Sequence, residues 1–246
     1  MTFLSNIKNY IVLVSCLTCF VFSACSLDCI DVEGTGSIVE KSIDTESFNS
    51  IENDIPATIK INQGEALSLT VSGHSNITDL IEFDVKSNKL TIRFKENCVN
   101  TNYDSLSINI TLPSLVLLNV NGSGEAIIEN GFQCKNLELG ISGSGNIKAS
   151  VEASKALEAT ISGSGVIKLI GITESATFNI SGSGEIHAYD FQTIHTSVSI
   201  SGSGDAEVIA DKSLKTNISG SGNIQYKGNP EITSTISGSG SLIKVK

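Results

Sequence analysis

The sequence predicts an all-β protein whose C-terminal half is a parallel β-solenoid with coils of about 20 residues, and three observations carry that expectation. A Gly-Ser-Gly turn recurs seven times, its first glycine at Gly122, Gly143, Gly163, Gly182, Gly202, Gly220 and Gly238, at intervals of 21, 20, 19, 20, 18 and 18 residues. Apolar residues alternate on both sides of every turn, the pattern of strands with one face buried. The composition agrees: 22 Gly against 3 Pro, no Trp and one Met, with Ile, Val, Thr and Ser throughout, favours strand over helix.

Residues 1–24 read as an export signal. A short polar stretch with Lys8 precedes an apolar run from Tyr10 to Phe22, and the small residues Ser23 and Ala24 close it. A run of 13 residues is too short to cross a ~30 Å hydrocarbon core as a helix. Phe22-Ser23-Ala24-Cys25 resembles a bacterial lipobox, in which the cysteine is acylated and becomes the new N-terminus. Cys25 is therefore the expected lipid anchor, and two or more acyl chains there would hold the mature protein stably on a membrane. Residues 25–36, with Asp28, Asp31, Glu33 and two glycines, read as an acidic tether.

From residue 37 to residue 112 the turn motif is absent, yet alternation continues in Thr58 to Asn62, Leu67 to Val71, Leu90 to Phe94 and Leu106 to Leu112. Asn62-Gln63-Gly64 and Ser87-Asn88-Lys89 are turn signals between these strands, and Pro113 marks the passage into the repeats. The pattern leaves open whether this half forms early coils or a separate capping sheet.

Within residues 113–246 each repeat reads as strand, tight turn, strand. Counting back from the turn, one row is Ile141, Ile161, Ile180, Ile200, Ile218 and Ile236, and two residues earlier runs Leu139, Ala159, Phe178, Val198, Thr216 and Ser234. The second position after the turn is apolar in every copy, from Ala126 and Ile147 to Ile224 and Leu242. Every repeat presents the same rows in the same order, so an identical neighbour is what covers its edges. Stacking at about 4.8 Å per coil lays like over like and turns the isoleucines into an internal ladder, with seven turns making a rod roughly 30 Å long. Glycines are expected to supply positive φ at the corners, and the serine hydroxyls to satisfy corner backbone groups.

These residues resemble the head GIN domain family, described as auto-transporter adhesins and common among Bacteroidetes lipoproteins. The resemblance rests on Phe48-Asn49-Ser50-Ile51 before the Ile59 to Gly64 strand and turn, on Leu112-Pro113 leading into the first repeat, on the Ile-Ser-Gly-Ser-Gly copies, and on Tyr226-Lys227-Gly228-Asn229-Pro230 before the last. It covers nearly all of the mature chain and implies a right-handed parallel β-helix on the cell surface or in the periplasm. Asn121 replaces the serine in the first copy.

The formal charge is −10, and −11 without the lone Lys8 of the first 24 residues, with Arg93 the single arginine. A nucleic-acid binder needs a basic stripe to release counterions, so that class is set aside. Cys29, Cys98 and Cys134 remain once the leader is removed and Cys25 acylated. A Cys98–Cys134 bridge is left open, and paired Cys or His at zinc spacing are absent. Parallel β-helices include polysaccharide-active enzymes, which need clustered carboxylates with a basic or calcium partner. The best candidate follows from stacking: Glu185, Asp205 and Asn223 fall on adjacent coils about 5 Å apart, a candidate calcium site that competes with a plain solvated turn. His187 lies two residues from Glu185 and on a neighbouring coil to Lys168 and Glu207, while His74 and His195 have no evident partner. Nucleophile-elbow, Walker and paired zinc-histidine motifs are absent, and no cofactor is expected.

The expectation is thus a non-catalytic, lipid-anchored envelope protein that is either an adhesin-like module with a protein or glycan ligand or a self-assembling scaffold. Only six residues follow the final turn, so self-association is expected end to end through the last coil or side by side along a flat face.

Overall fold

A computed structural model describes residues 30–95, 99–103 and 106–246. The N-terminal strands are β1 (Ile30–Glu33), β2 (Ile38–Ser42), β3 (Ser50–Asn53), β4 (Thr58–Gln63), β5 (Ser68–His74), β6 (Ile81–Lys86), β7 (Lys89–Phe94), β8 (Val99–Asn102) and β9 (Leu106–Leu112), with one short helix, α1 (Ser75–Thr78). The repeats form β10 (Leu117–Gly122), β11 (Glu125–Gly143), β12 (Asn146–Gly163), β13 (Val166–Gly182), β14 (Glu185–Gly202), β15 (Asp205–Ile209), β16 (Ser213–Gly220), β17 (Asn223–Lys227), β18 (Glu231–Gly238) and β19 (Ser241–Lys244).

The coils stack in parallel into a solenoid of about six turns. Ile141 pairs with Ile161, Ile161 with Ile180, Ile180 with Ile200, Ile200 with Ile218 and Ile218 with Ile236, so the expected ladder is the observed register. The Leu139 to Ser234 row and the Ala126 to Leu242 row stack the same way. Their apolar side chains fill one continuous core, joined by Phe132, Phe178 and Phe191, none of which is exposed at all. Dispersion contacts and removal from water both scale with this burial, and each coil gains them only through its neighbours.

The corners differ from expectation in one respect. The first glycine of every turn has positive φ, from +84° at Gly122 to +130° at Gly220. The corner carbonyls, however, are satisfied by backbone donors: Ser144 N–H donates to Gly122 O at 2.8 Å and Ser203 N–H to Gly182 O at 2.8 Å. Close backbone approach lets the main chain bond to itself from coil to coil, which leaves the hydroxyls for solvent.

The N-terminal half combines both arrangements that the sequence leaves open. Residues 48–63 form a coil of the solenoid, since β3 lies parallel on β10 with Ile51 over Leu118, and β4 on β11 with Ile59 over Ala126. Its corner at residues 54–57 lacks the glycine motif. Fully buried Asn53 holds it instead, donating from Nδ2 to Ile55 O at 3.0 Å and accepting from Ile55 N–H at 3.3 Å. Outside this coil lie β7 on β3 and β9 on β4, still parallel. The sheet then changes sense, with β6 antiparallel to β7, β5 to β9 and β2 to β5. Ser87 and Asn88, both at positive φ, turn β6 into β7. The chain therefore makes one coil, leaves to build an antiparallel cap, and returns at Pro113.

Candidate functional site

On the flanks of the solenoid the outward side chains of successive coils align. Along β10 to β14, β16 and β18 one outward row includes Thr160, Asn179, Ser199 and Asn217, and two residues on the next includes Ser162, Ser181, Ser201 and Ser219. From Gly140 to Thr235 and from Ser142 to Ser237 neither row carries a charge. A shallow trough of about 390 Å³ lies between them. Asn179 donates to Glu158 Oε1 at 3.2 Å, and the hydroxyls of Ser162, Ser181, Ser201 and Ser219 face solvent. The alternation that buries the isoleucines turns these groups outward, so the core fixes the spacing of the lattice.

A larger groove of about 750 Å³ crosses the coils on another flank. Cys134, Ala153 and Thr173 form its floor, Ile172 and Ile194 its apolar wall, and Lys135 and Glu174 part of its rim. Cys134 carries a free thiol, and burial raises its pKa, which keeps it protonated and poorly nucleophilic. The outward Ile172, half exposed, is the signal that could have revealed this groove in the sequence.

On a third flank His187 sits between two carboxylates, Nδ1 2.9 Å from Glu207 Oε2 and Nε2 3.0 Å from Glu185 Oε2. Burial pulls its pKa down, but the hydrogen bonds and charges of Glu207 and Glu185 together outweigh it, so His187 titrates above its ordinary value. Lys227 covers the ring of Tyr189 nearby, its Nζ 4.4 Å from the ring centre. The remaining histidines have partners that sequence did not reveal: His195 Nδ1 meets Ser213 Oγ at 2.8 Å, and His74 Nδ1 lies 3.2 Å from Gly36 O.

Glu185, Asp205 and Asn223 are in register on adjacent coils. Asp205 Oδ1 accepts from Asn223 N–H at 2.8 Å and from Asn223 Nδ2 at 3.0 Å, and Glu185 is engaged by His187. The Asn223 amide thus presents its donor, and a cation would have to exchange these hydrogen bonds for coordination. If it does, millimolar calcium raises the Tm and Asp205→Asn removes the rise; an unchanged Tm leaves a hydrogen-bonded ladder. Among the described residues no three His, Cys, Asp or Glu side chains are grouped to hold a metal ion. Cys25, Cys29 and Cys98 lie outside the described residues. No described helix is long and apolar enough to cross a membrane.

Stacked parallel coils with an antiparallel cap and long polar flanks define the class as a capped parallel β-solenoid. Residues 47–230 match the family model described as "putative auto-transporter adhesin, head GIN domain", and the chain belongs to that family. It resembles the crystal structure of a putative adhesin from Bacteroides fragilis, with 27% identity and a TM-score of 0.80 over 87% of this chain and all of that one. It also resembles a putative lipid binding protein from Parabacteroides distasonis, at 30% identity and TM-score 0.76 over 88% of this chain and all of that one. A putative adhesin from Parabacteroides merdae matches at 25% identity and TM-score 0.73, over 89% of this chain and all of that one. No curated protein matches.

Proposed function

We propose that the chain is a non-catalytic, adhesin-like interaction module of the bacterial envelope, held at a membrane through acylated Cys25, and that its uncharged lateral face makes the contact. The observation that carries this reading is the pair of solvent-facing Ser, Thr and Asn rows, continuous over the coils of a chain whose net charge is −10. A rigid array of neutral donors and acceptors can form many weak contacts with one extended partner. Bonds of about 0.5–1.5 kcal/mol each then add through avidity. The family's description and those of its structural neighbours support the adhesin-like part of the reading. The runner-up is a periplasmic scaffold.

Protease treatment of intact cells tests the reading. The wild-type protein is expected to be degraded while periplasmic markers survive, and Cys25→Ala to appear in soluble fractions or as an uncleaved precursor. Full protection from protease removes the adhesin-like role in favour of the scaffold, and normal processing with unchanged membrane fractionation of Cys25→Ala removes the anchor.

A further inference from the structure

The groove over Cys134 arises where the repeat is broken. β11, β12 and β13 stay in register through Cys134, Ala153 and Thr173, but Ser154 and Lys155 of β12 then stand together opposite single residues, Lys135 of β11 and Glu174 of β13. The extra residue is a bulge, which bends the strand and re-aims the side chains beside it. Three small side chains floor the hollow, and Ile172 and Ile194 keep it apolar. Its volume, about 750 Å³, falls within the roughly 300–1,000 Å³ of small-ligand sites.

Three charges stand around this apolar floor. Lys135 and Glu174 share one outward row two coils apart, which is about 10 Å along the solenoid axis. Glu152 lies across the floor, on the coil between them. Among the described residues none of the three forms an ion pair.

We propose that the groove binds a short extended peptide with free termini, about three residues long, its carboxylate at Lys135, its ammonium at Glu174 and an apolar side chain against Ile172. This goes beyond the interaction reading, since it assigns a small ligand to a different flank. Charge spacing sets the length: three extended residues cover about 10 Å, whereas a single amino acid, at about 3.4 Å, reaches only one of the two ends. The signs of the charges set the class. A fatty acid answers Lys135 but leaves Glu152 and Glu174 without a partner, and a simple amine leaves Lys135 without one. A ligand with both charges answers both ends, and Glu152 favours its cationic half. Gln133 and Ser154 also line the groove, where their amide and hydroxyl can bond to the peptide units.

Calorimetry of the purified protein with alanyl-leucyl-alanine tests this. The free tripeptide is expected to bind, and its N-acetylated and C-amidated forms to bind several-fold more weakly, since each loses one charge-assisted contact. Lys135→Met is expected to bind the free and amidated peptides equally while still discriminating against the acetylated one. Glu174→Gln is expected to show the reverse pattern. Both residues are exposed, so each variant keeps the wild-type Tm and a loss of binding is not a loss of fold. Bound peptide is also expected to slow alkylation of Cys134 on the floor, followed by mass spectrometry at alkaline pH, where the thiol ionises. No binding of the free tripeptide at millimolar concentration, equal binding of capped and free forms, or unslowed alkylation under saturating peptide would each overturn the proposal. Decanoate bound in preference to the peptide would overturn it too, and make the groove an amphiphile site.

Discussion

Ile200→Asp is expected to abolish cooperative folding of the solenoid, while Ser203→Ala, three residues away, leaves the Tm nearly unchanged. Ile200 is 2% exposed and lies between Ile180 and Ile218, so its side chain belongs to two coil-to-coil interfaces. An aspartate there must either bury an unpaired carboxylate or take a proton at neutral pH, and the effective penalty is several kcal/mol besides the lost apolar contacts. Domain stability is only about 5–15 kcal/mol, and in a stack it is the sum of nearest-neighbour terms, so a central break divides the rod. Ser203 contributes its N–H to the corner and keeps it as alanine. Ser201→Asp, one residue on and turned outward, is the internal control. That residue is exposed, and its carboxylate can stay hydrated. Circular dichroism melts of the three variants decide the matter; a wild-type melt for Ile200→Asp would mean that the row does not face the core.

The same repetition explains why so much of the fold is legible from sequence. A residue type that returns at each coil names its own structural neighbours, so Ile161, Ile180 and Ile200 declare their register without any knowledge of the fold. Where repetition ends, so does legibility. Residues 64–112 build the cap by antiparallel pairings such as Ile81 with Phe94, which depend on chain reversal and carry no periodic signal. The corner at residues 54–57 was hidden because Asn53 does there, by side-chain bonds, what glycine does elsewhere. Among candidate site residues, stacking correctly brought Glu185, Asp205 and Asn223 together, but sequence could not say that the Asn223 amide donates to Asp205. The Cys134 groove depends on where a corner turns in space, and alternation records only inside and outside.

Gly202→Ala is expected to lower the Tm considerably more than Gly122→Ala, although both replace the first glycine of the same turn. Both residues have positive φ, +128° and +84°, where a Cβ is strained and costs about 1–2 kcal/mol. They differ in what lies above them. A Cβ on Gly202 would stand 2.4 Å from Gly182 O, a backbone atom locked in the coil-to-coil ladder, whereas a Cβ on Gly122 meets nothing within 4 Å. The preceding coil has its wider corner at residues 54–57, so no glycine turn is stacked over Gly122. Gly204→Ala isolates the other contribution. Gly204 lies outside the positive-φ region, but its added Cβ would be 2.5 Å from Gly184 O and 2.6 Å from Ile180 Cγ2. The expected order of destabilisation is therefore Gly202→Ala, then Gly204→Ala, then Gly122→Ala. For a chain of this size each kcal/mol moves the Tm by roughly 2–4 °C, so Gly122→Ala shifts it by a few degrees and the stacked positions by a multiple of that. Close approach between coils, more than the conformation of a single residue, is then what holds glycine at the turn. Equal losses at Gly122 and Gly202 would reverse that conclusion and make backbone strain the whole reason for the motif.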